Sequence, residues 1–167
     1  MGLSGQFETW AGTLLDQKRP LVIVAAPGRE EEAIVRLGRI GFESVRGYLE
    51  GGMEAISGRE DLLGRFDRLA PATLVEWLGE TAPPVVLDVR NPGEVEAGAI
   101  PGSLPVPLSE LSGRLAELPR DQALVVHCAG GYRSAIAASL LLAAGFERVS
   151  DLAGGYAAWQ VVAEPSA

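Results

Sequence analysis

The sequence predicts an α/β fold in which a mostly parallel central sheet is flanked by helices. Short β-branched apolar runs, VVLDV at 85–89 and ALVVH at 123–127, alternate with segments of helical periodicity. Both runs are apolar almost throughout, which is typical of parallel strands buried on both faces. Glycines and prolines stand singly or in pairs between these segments and mark turns. Together these three observations favour consecutive βαβ units.

A complete domain begins near Ala70. ATLVEWLGE has the pattern of an amphipathic helix, and GAIPGSLPVPL is a turn that leads into an extended stretch. SAIAASLLLAAG carries small residues that permit close packing on a sheet, and Gly145 stands where a helix C′ residue belongs. In chain order we predict a helix at 72–80, a strand at 85–89, a turn and extended stretch at 98–108, a helix at 109–118, a strand at 123–127, a loop at 128–133 and a helix at 134–145.

An internal repeat divides the chain into two related parts. LVIVAAPGREEEAI from Leu21 aligns with LVVHCAGGYRSAIA from Leu124 at an offset of 103 residues. After one inserted residue, GFESV aligns with GFERV and LEGGMEAI with LAGGYAAW. The first copy lacks the strand and helix that open the second. We therefore predict a partial unit at 1–56, a charged linker at 57–69 and the complete domain at 70–167.

Composition and charge exclude several classes of function. The 167 residues are 47% hydrophobic, which is enough for a buried core, and carry a formal net charge of -8. No basic cluster is dense enough to cover nucleic acid or an anionic membrane surface, so we expect a small ligand or another protein as partner. MGLSGQFETW has no signal-peptide pattern and no apolar run approaches the roughly 20 residues of a membrane span, which predicts a cytoplasmic protein.

One cysteine and one histidine are too few for internal disulfides or for most zinc sites, which need three or four converging ligands. The Asp and Glu residues show no spacing typical of a site for a hard cation. We therefore expect neither a bound metal nor a cofactor.

The cysteine itself, Cys128, lies between a buried strand and a glycine pair. Gly130 and Gly131 let successive backbone amides point at one spot, and the following helix adds the positive end of its dipole. With Arg133 nearby, such a setting lowers a thiol pKa to between roughly 3.5 and 7.5 in known cases. A lone cysteine at a strand end is commonly an inert small hydrophobe. The adjacent Gly-Gly and Arg favour a nucleophile beside an anion cradle instead.

The polar neighbours of this loop are interpreted as scaffold. His127 precedes the cysteine on the strand and projects to the opposite side, so we expect it to be held by a hydrogen bond and not to act as a base. Asp88 and Arg90 share a strand face, where they could be catalytic, but we expect them to pair with each other or to cap nearby backbone groups. Trp77 and Trp159 lie among helical apolar residues and are predicted core residues.

LDVRNPGEVEAGAIPGSLPVPL, VVHCAGGYRS and GFERVSDLAGGYAAW together resemble a complete rhodanese domain spanning about Ala70 to Trp159. The resemblance implies a sulfurtransferase in which Cys128 attacks the outer sulfur of a donor, carries it as a persulfide and passes it to a thiol or cyanide. It also implies that Arg133 is catalytic and binds the anionic end of the donor, with Tyr132 at the pocket rim. The substrate-binding residues it implies are Ala129, Gly130, Gly131, Tyr132 and Ser134.

The resemblance also implies a role for the first copy. Ala25 occupies the position of Cys128 and Glu30 that of Arg133, so we expect this copy to be catalytically silent. The arrangement resembles the C-terminal part of bacterial proteins that fuse a metallo-β-lactamase-fold persulfide dioxygenase to two rhodanese domains. The apolar surface of the first copy is expected to pack on the complete domain, on a second copy of the chain as a homodimer, or on an upstream metallo-hydrolase portion.

Three other interpretations fit parts of the sequence. Cysteine phosphatases hold their anion in a C-x5-R loop, whereas Cys128 and Arg133 form a C-x4-R loop that suits sulfur better than a tetrahedral phosphate. Arsenate reduction needs a resolving cysteine, which the chain lacks. A non-catalytic binding module fits the first copy but leaves the loop of the second unused. One departure from the rhodanese pattern is Ala99, where family members often have histidine.

Overall fold

The computed structural model describes residues 1–163 and divides the chain into two units, Met1–Leu63 and Gly64–Ala167. The division lies inside the segment predicted as a linker, 57–69. Within the described residues, every helix is too short or too polar to cross a lipid bilayer.

The first unit combines two helices with a two-stranded parallel sheet. Its second helix places three glutamates in its first turn and two arginines in its last turn, and both groups stabilise the helix dipole. Phe7, Ala11, Leu37 and Phe42 form the core of the unit. Its elements are α1 (Phe7–Leu14), β1 (Leu21–Ile23), α2 (Glu30–Arg39) and β2 (Val45–Tyr48), followed by 3-10 turns at Gly52–Ile56 and Glu60–Leu62.

The second unit holds a five-stranded sheet in which every pair of neighbouring strands is parallel. Its elements are β3 (Asp67–Leu69), α3 (Pro71–Leu78), β4 (Val85–Asp88), α4 (Pro92–Glu96), β5 (Leu104–Pro105), β6 (Leu124–His127), α5 (Tyr132–Ala143), β7 (Val149–Leu152) and α6 (Gly155–Ala163). The strand order is β3-β7-β6-β4-β5, which places β6 at the centre. The predicted α/β class with a parallel sheet is confirmed.

One face of this sheet is covered by α3 and α6. Leu74, Val125, Leu152 and Trp159 are buried in a single cluster, and Trp77 packs against it. Burying a leucine of this kind stabilises a fold by about 1.5–3 kcal/mol. The prediction that both tryptophans serve the core is confirmed.

The predicted helix at 109–118 is wrong: only 3-10 turns form, at Leu111–Gly113 and Leu115–Glu117. Gly113 lies in the middle of the segment and lowers helix stability by about 1 kcal/mol relative to alanine. Leu111 and Leu118 are both buried, so the packing of these side chains determines the path of the chain.

The sequence does not predict strand β3, because this strand falls in the segment expected to be a linker. It is an edge strand that pairs only with β7, and two of its three residues are exposed and charged. Such a strand shows no apolar run in the sequence. The sheet therefore begins slightly before Ala70.

The register of the sheet determines where the polar side chains meet. Asp88, at the carboxyl end of β4, pairs with His127, at the carboxyl end of β6. Cys128 follows directly, so the predicted loop emerges at the carboxyl edge of the central strand, where open α/β sheets bind ligands.

Candidate active site

Cys128 lies in a tight loop between β6 and α5. Its side chain is buried, with 2% of the residue exposed, and the amide of Gly131 donates a hydrogen bond to Sγ over 3.1 Å. Gly131 has a φ of 102°, a value that a residue with a side chain rarely adopts. A Cβ at Gly131 would contact nothing within 4 Å, so glycine is needed there for backbone conformation and not for space.

Opposing influences set the pKa of the Cys128 thiol. Burial raises this pKa, while hydrogen bonds from the Ser134 hydroxyl and from backbone amides of the loop lower it. The net pKa lies below the ordinary value for cysteine. Sγ is 3.6 Å from Oγ of Ser134, which is itself fully buried on the first turn of α5. These hydrogen bonds therefore stabilise the sulfur anion of Cys128 relative to that of an ordinary cysteine.

The other residues predicted for substrate binding lie in the same loop and in the first turn of α5. Ala129 and Gly130 are exposed, while Gly131, Tyr132 and Arg133 are partly buried. Backbone amides of Gly130 and Ser134 join that of Gly131 in stabilising the thiolate. Three amides of the loop and the start of α5 therefore converge on the Cys128 sulfur.

The carbonyl groups of the loop are held by a second element that the sequence analysis did not include in the site. The amide of Tyr156 donates to Cys128 O over 2.8 Å, and that of Ala157 donates to Ala129 O over 3.2 Å. A Cβ at Gly155 would collide with Cys128 O and lie 2.8 Å from the carbonyl carbon of Ala129. Gly155 therefore permits the first turn of α6 to hold the loop, leaving the loop amides free to face Sγ.

Arg133 is engaged by a residue that the sequence analysis also missed. Its Nη1 and Nη2 each donate to a carboxylate oxygen of Glu94 over 2.6 Å, forming a bidentate pair. The Arg133 hydrogen bond lowers the pKa of Glu94 to about 2, although partial burial opposes this. Glu94 raises the pKa of Arg133 in turn, with a smaller contribution from the Cys128 thiolate. The guanidinium thus interacts with both the carboxylate and the sulfur.

Behind the loop lies the predicted pair of Asp88 and Arg90, which is confirmed. Arg90 Nη2 donates to Asp88 Oδ2 over 2.6 Å and to Gly98 O over 2.8 Å, and its guanidinium carbon lies 4.1 Å from the centre of the Tyr156 ring. Gly98 is followed in this turn by Ala99, the position at which the sequence departs from the rhodanese pattern.

His127 is fully buried beside this pair, and burial lowers its pKa, although Asp88 opposes the shift. Its Nε2 is 3.5 Å from Asp88 Oδ2, and its Nδ1 is 3.4 Å from Cys128 O. Both contacts are long for hydrogen bonds. The ring lies between Asp88 on β4 and the backbone carbonyl of the loop, in keeping with a structural role.

Comparison with known proteins places this site in a family. The Rhodanese-like domain model matches residues 70–161. A sulfurtransferase from Allochromatium vinosum is 36% identical over 87 residues, which cover 52% of this chain and 81% of that protein. The thiosulfate sulfurtransferase GlpE from Pseudoalteromonas translucida is 37% identical over 76 residues, which cover 46% of this chain and 72% of that protein.

A solved structure of a rhodanese-related protein from Thermoplasma volcanium aligns with a TM-score of 0.54 and 34% identity, covering 61% of this chain and 96% of that one. The named relatives support a function of the sulfurtransferase type. With more than half of its residues matched by the family model, the chain belongs to the rhodanese-like domain family.

Proposed function

We propose that the chain moves a sulfane sulfur from thiosulfate or a persulfide donor to a thiol or cyanide acceptor through a persulfide on Cys128. The observation that carries the proposal is the buried Sγ of Cys128, which accepts a hydrogen bond from the Gly131 amide and has a lowered pKa. The thiolate is the nucleophilic form of cysteine, and these hydrogen bonds stabilise it.

The reaction proceeds in two displacements. The Cys128 thiolate attacks the outer sulfur of thiosulfate, the sulfur–sulfur bond of the donor breaks, and sulfite leaves with the bonding electron pair. The new persulfide anion occupies the space faced by the loop amides. An acceptor thiolate then attacks the terminal sulfur and leaves as a persulfide, which restores the Cys128 thiolate. Because these 167 residues hold a single cysteine, the acceptor thiol comes from outside this sequence.

We further propose that residues 1–56 are an inactive partial rhodanese unit. The pairing of β1 with β2 supports this, since Leu21 lies opposite Val45 just as Leu124 lies opposite Val149. After a one-residue irregularity between Leu21 and Val22, the later pairs of the two units correspond at a constant offset of 103.

A second likeness supports the same proposal. A Cβ at Gly52 would collide with Ala25 O, just as one at Gly155 would collide with Cys128 O. The first unit thus keeps the close approach that holds the loop but has alanine in place of the nucleophile.

The persulfide is tested by intact-mass spectrometry after incubation with thiosulfate or glutathione persulfide. The parent protein is expected to gain one sulfur atom that dithiothreitol removes, and Cys128→Ser is expected to gain none. Because serine is close in size to cysteine, the variant is expected to fold and is a matched control. If the parent gains no sulfur from either donor, or if both proteins gain it, the proposal fails.

A further inference from the structure

Arg90 is a buried side chain, outside the catalytic loop, that contacts three elements of the second unit. It is 3% exposed, and its Nε and Nη2 donate to the two carboxylate oxygens of Asp88 over 2.9 and 2.6 Å, which neutralises the charge at the end of β4. Nη1 also donates to Glu94 O over 3.2 Å, and Nη2 to Gly98 O over 2.8 Å. A lysine ammonium could neutralise Asp88, but its single nitrogen cannot reproduce this planar fork. Pairing with Asp88 therefore accounts for only part of the bonds that Arg90 makes.

The third element in contact with Arg90 is α6. The guanidinium carbon lies 4.1 Å from the centre of the Tyr156 ring, within the range of a cation–π interaction. The Tyr156 hydroxyl lies close to Gly98, since a Cβ added there would come within 2.6 Å of it. The ring is thus held at its face and at its tip, while the backbone amide of the same residue donates to Cys128 O over 2.8 Å. Arg90 therefore restrains a residue that holds the catalytic loop.

Arg90 restrains α4 in the same way. A capping box between Asn91 and Glu94 fixes the start of this helix, while Arg90 holds the carbonyls of Glu94 and Gly98. The Glu94 carboxylate holds both terminal nitrogens of Arg133 at 2.6 Å. The position of Arg133 therefore depends on a helix that Arg90 holds.

The geometry points to Arg90 as a positioning residue that connects α4 to α6 and thereby fixes Arg133 and the Cys128 loop relative to each other. This inference rests on the proposed sulfur transfer, in which Cys128 is the nucleophile and Arg133 the cation beside it. Without the connection, α4 and α6 could shift independently, and a displacement of about 1 Å between reacting groups lowers a rate by about 10²-fold. Arg90 itself lies behind the loop and acts through these two helices.

Two substitutions break this connection by different means. Arg90→Lys keeps a positive charge beside Asp88 but removes the planar fork that reaches α4 and covers the Tyr156 ring. Tyr156→Leu removes the ring, keeps the ion pair with Asp88 and keeps the backbone amide that bonds to Cys128 O. Because the second variant leaves the buried charges paired, it tests the inference even if Arg90→Lys does not fold.

A similar arginine and ring at the far end of α5 supply matched controls. The guanidinium carbon of Arg120 lies 4.4 Å from the centre of the Phe146 ring, and its Nη1 donates to Ala144 O over 3.1 Å. Phe146 is buried and follows the end of α5, whereas the catalytic loop precedes the start of that helix. Arg120→Lys and Phe146→Leu therefore make the same chemical changes at a distance from the loop. Urea unfolding of all four variants shows how much of each loss of activity follows from stability alone.

The first measurement is the rate of persulfide formation from thiosulfate, followed by intact mass under conditions where each variant is folded. We expect this rate to fall by about tenfold or more in Arg90→Lys and Tyr156→Leu, and to stay within about twofold of wild type in both controls. Rates that fall equally in Tyr156→Leu and Phe146→Leu overturn the inference.

The second measurement needs no sulfur transfer and separates this inference from the proposed function. Backbone amides lower the pKa of Cys128, so displacing the loop should move the midpoint of its alkylation by iodoacetamide to higher pH. We expect a rise of about half to one pH unit in Arg90→Lys and Tyr156→Leu, the equivalent of weakening one hydrogen bond, and none in the controls. A raised midpoint in these variants, when no protein including wild type forms a persulfide, supports the role of Arg90 and overturns the proposed reaction. An unmoved midpoint in Tyr156→Leu overturns the role of Arg90.

Discussion

Replacing Gly155 with alanine tests whether the first turn of α6 holds the catalytic loop. Gly155 has a φ of 61°, and forcing an alanine into that region costs about 1–2 kcal/mol. The added Cβ would also collide with Cys128 O, so the backbone must shift and weaken the bond from Tyr156 N, a loss of about 0.5–1.5 kcal/mol. We expect Gly155→Ala to lower the free energy of unfolding by roughly 1.5–3.5 kcal/mol in total.

Gly102→Ala is the matched control. Gly102 lies in the same unit with a φ of 75°, but a Cβ there would meet nothing within 4 Å. This variant therefore isolates the conformational cost. In urea unfolding followed by circular dichroism, its free energy of unfolding should lie about 1 kcal/mol closer to the wild-type value than that of Gly155→Ala. Persulfide formation, followed by intact mass under conditions where both variants are folded, should slow only in Gly155→Ala. Equal destabilisation and equal rates in the two variants would refute the argument that α6 positions the loop.

Two further predictions concern ionisation at the site. Ser134→Ala removes a hydrogen bond that lowers the pKa of Cys128, so the pH profile of Cys128 alkylation by iodoacetamide should move to higher pH; an unmoved profile would contradict the role of the hydroxyl. The pKa of Glu94 falls from 4.5 to about 2 on folding, so the stability that this carboxylate contributes is present above about pH 4.5 and is lost as the pH falls towards 2. The stability difference between wild type and Glu94→Gln in urea unfolding should therefore narrow on acidification from about pH 6 to about pH 3, and a constant difference would count against the ion pair.

The buried elements were predictable because burial leaves a pattern in the sequence. Strands β4 and β6 are continuous apolar runs, and α5 combines small residues with a glycine after its end. Strand β3 leaves no such pattern, since its side chains are charged and exposed at an edge. The segment at 109–118 shows helical periodicity, but Gly113 and the burial of its leucines override that signal.

The site was predictable to the extent that it is local in sequence. Cys128, the glycine pair and the start of α5 are contiguous, and their spacing alone implies converging amides. Glu94 lies 39 residues from Arg133, and no local pattern indicates that the two side chains meet. Gly155 left a weak signal, because the GG doublet recurs as Gly51 and Gly52 in the first copy. In the folded chain, Gly155 lies close to the Cys128 carbonyl and Gly52 lies close to the Ala25 carbonyl, and the sequence alone does not show these contacts.

The proposed repeat separates the conformation of the loop from its chemistry. Gly28, at the position of Gly131, has a φ of 82° against 102°, so the first copy retains the left-handed residue of the turn. Gly52 retains the approach to the loop carbonyl. What differs is the set of groups that would stabilise an anion.

In the first copy Pro27 replaces Gly130 and removes one amide donor, while Glu30 replaces Arg133 with the opposite charge. A cysteine at Ala25 would therefore lie in a loop of the right shape but with one amide donor fewer and without the cation, two features that lower a thiol pKa. We expect Ala25→Cys, made in the Cys128→Ser background, to gain no sulfur from thiosulfate or glutathione persulfide by intact mass, and its alkylation by iodoacetamide to require higher pH than that of the parent. Persulfide formation at this position at the parental rate would mean that loop shape alone activates the thiol, and the assignment of the chemistry to the amides and Arg133 would then be wrong.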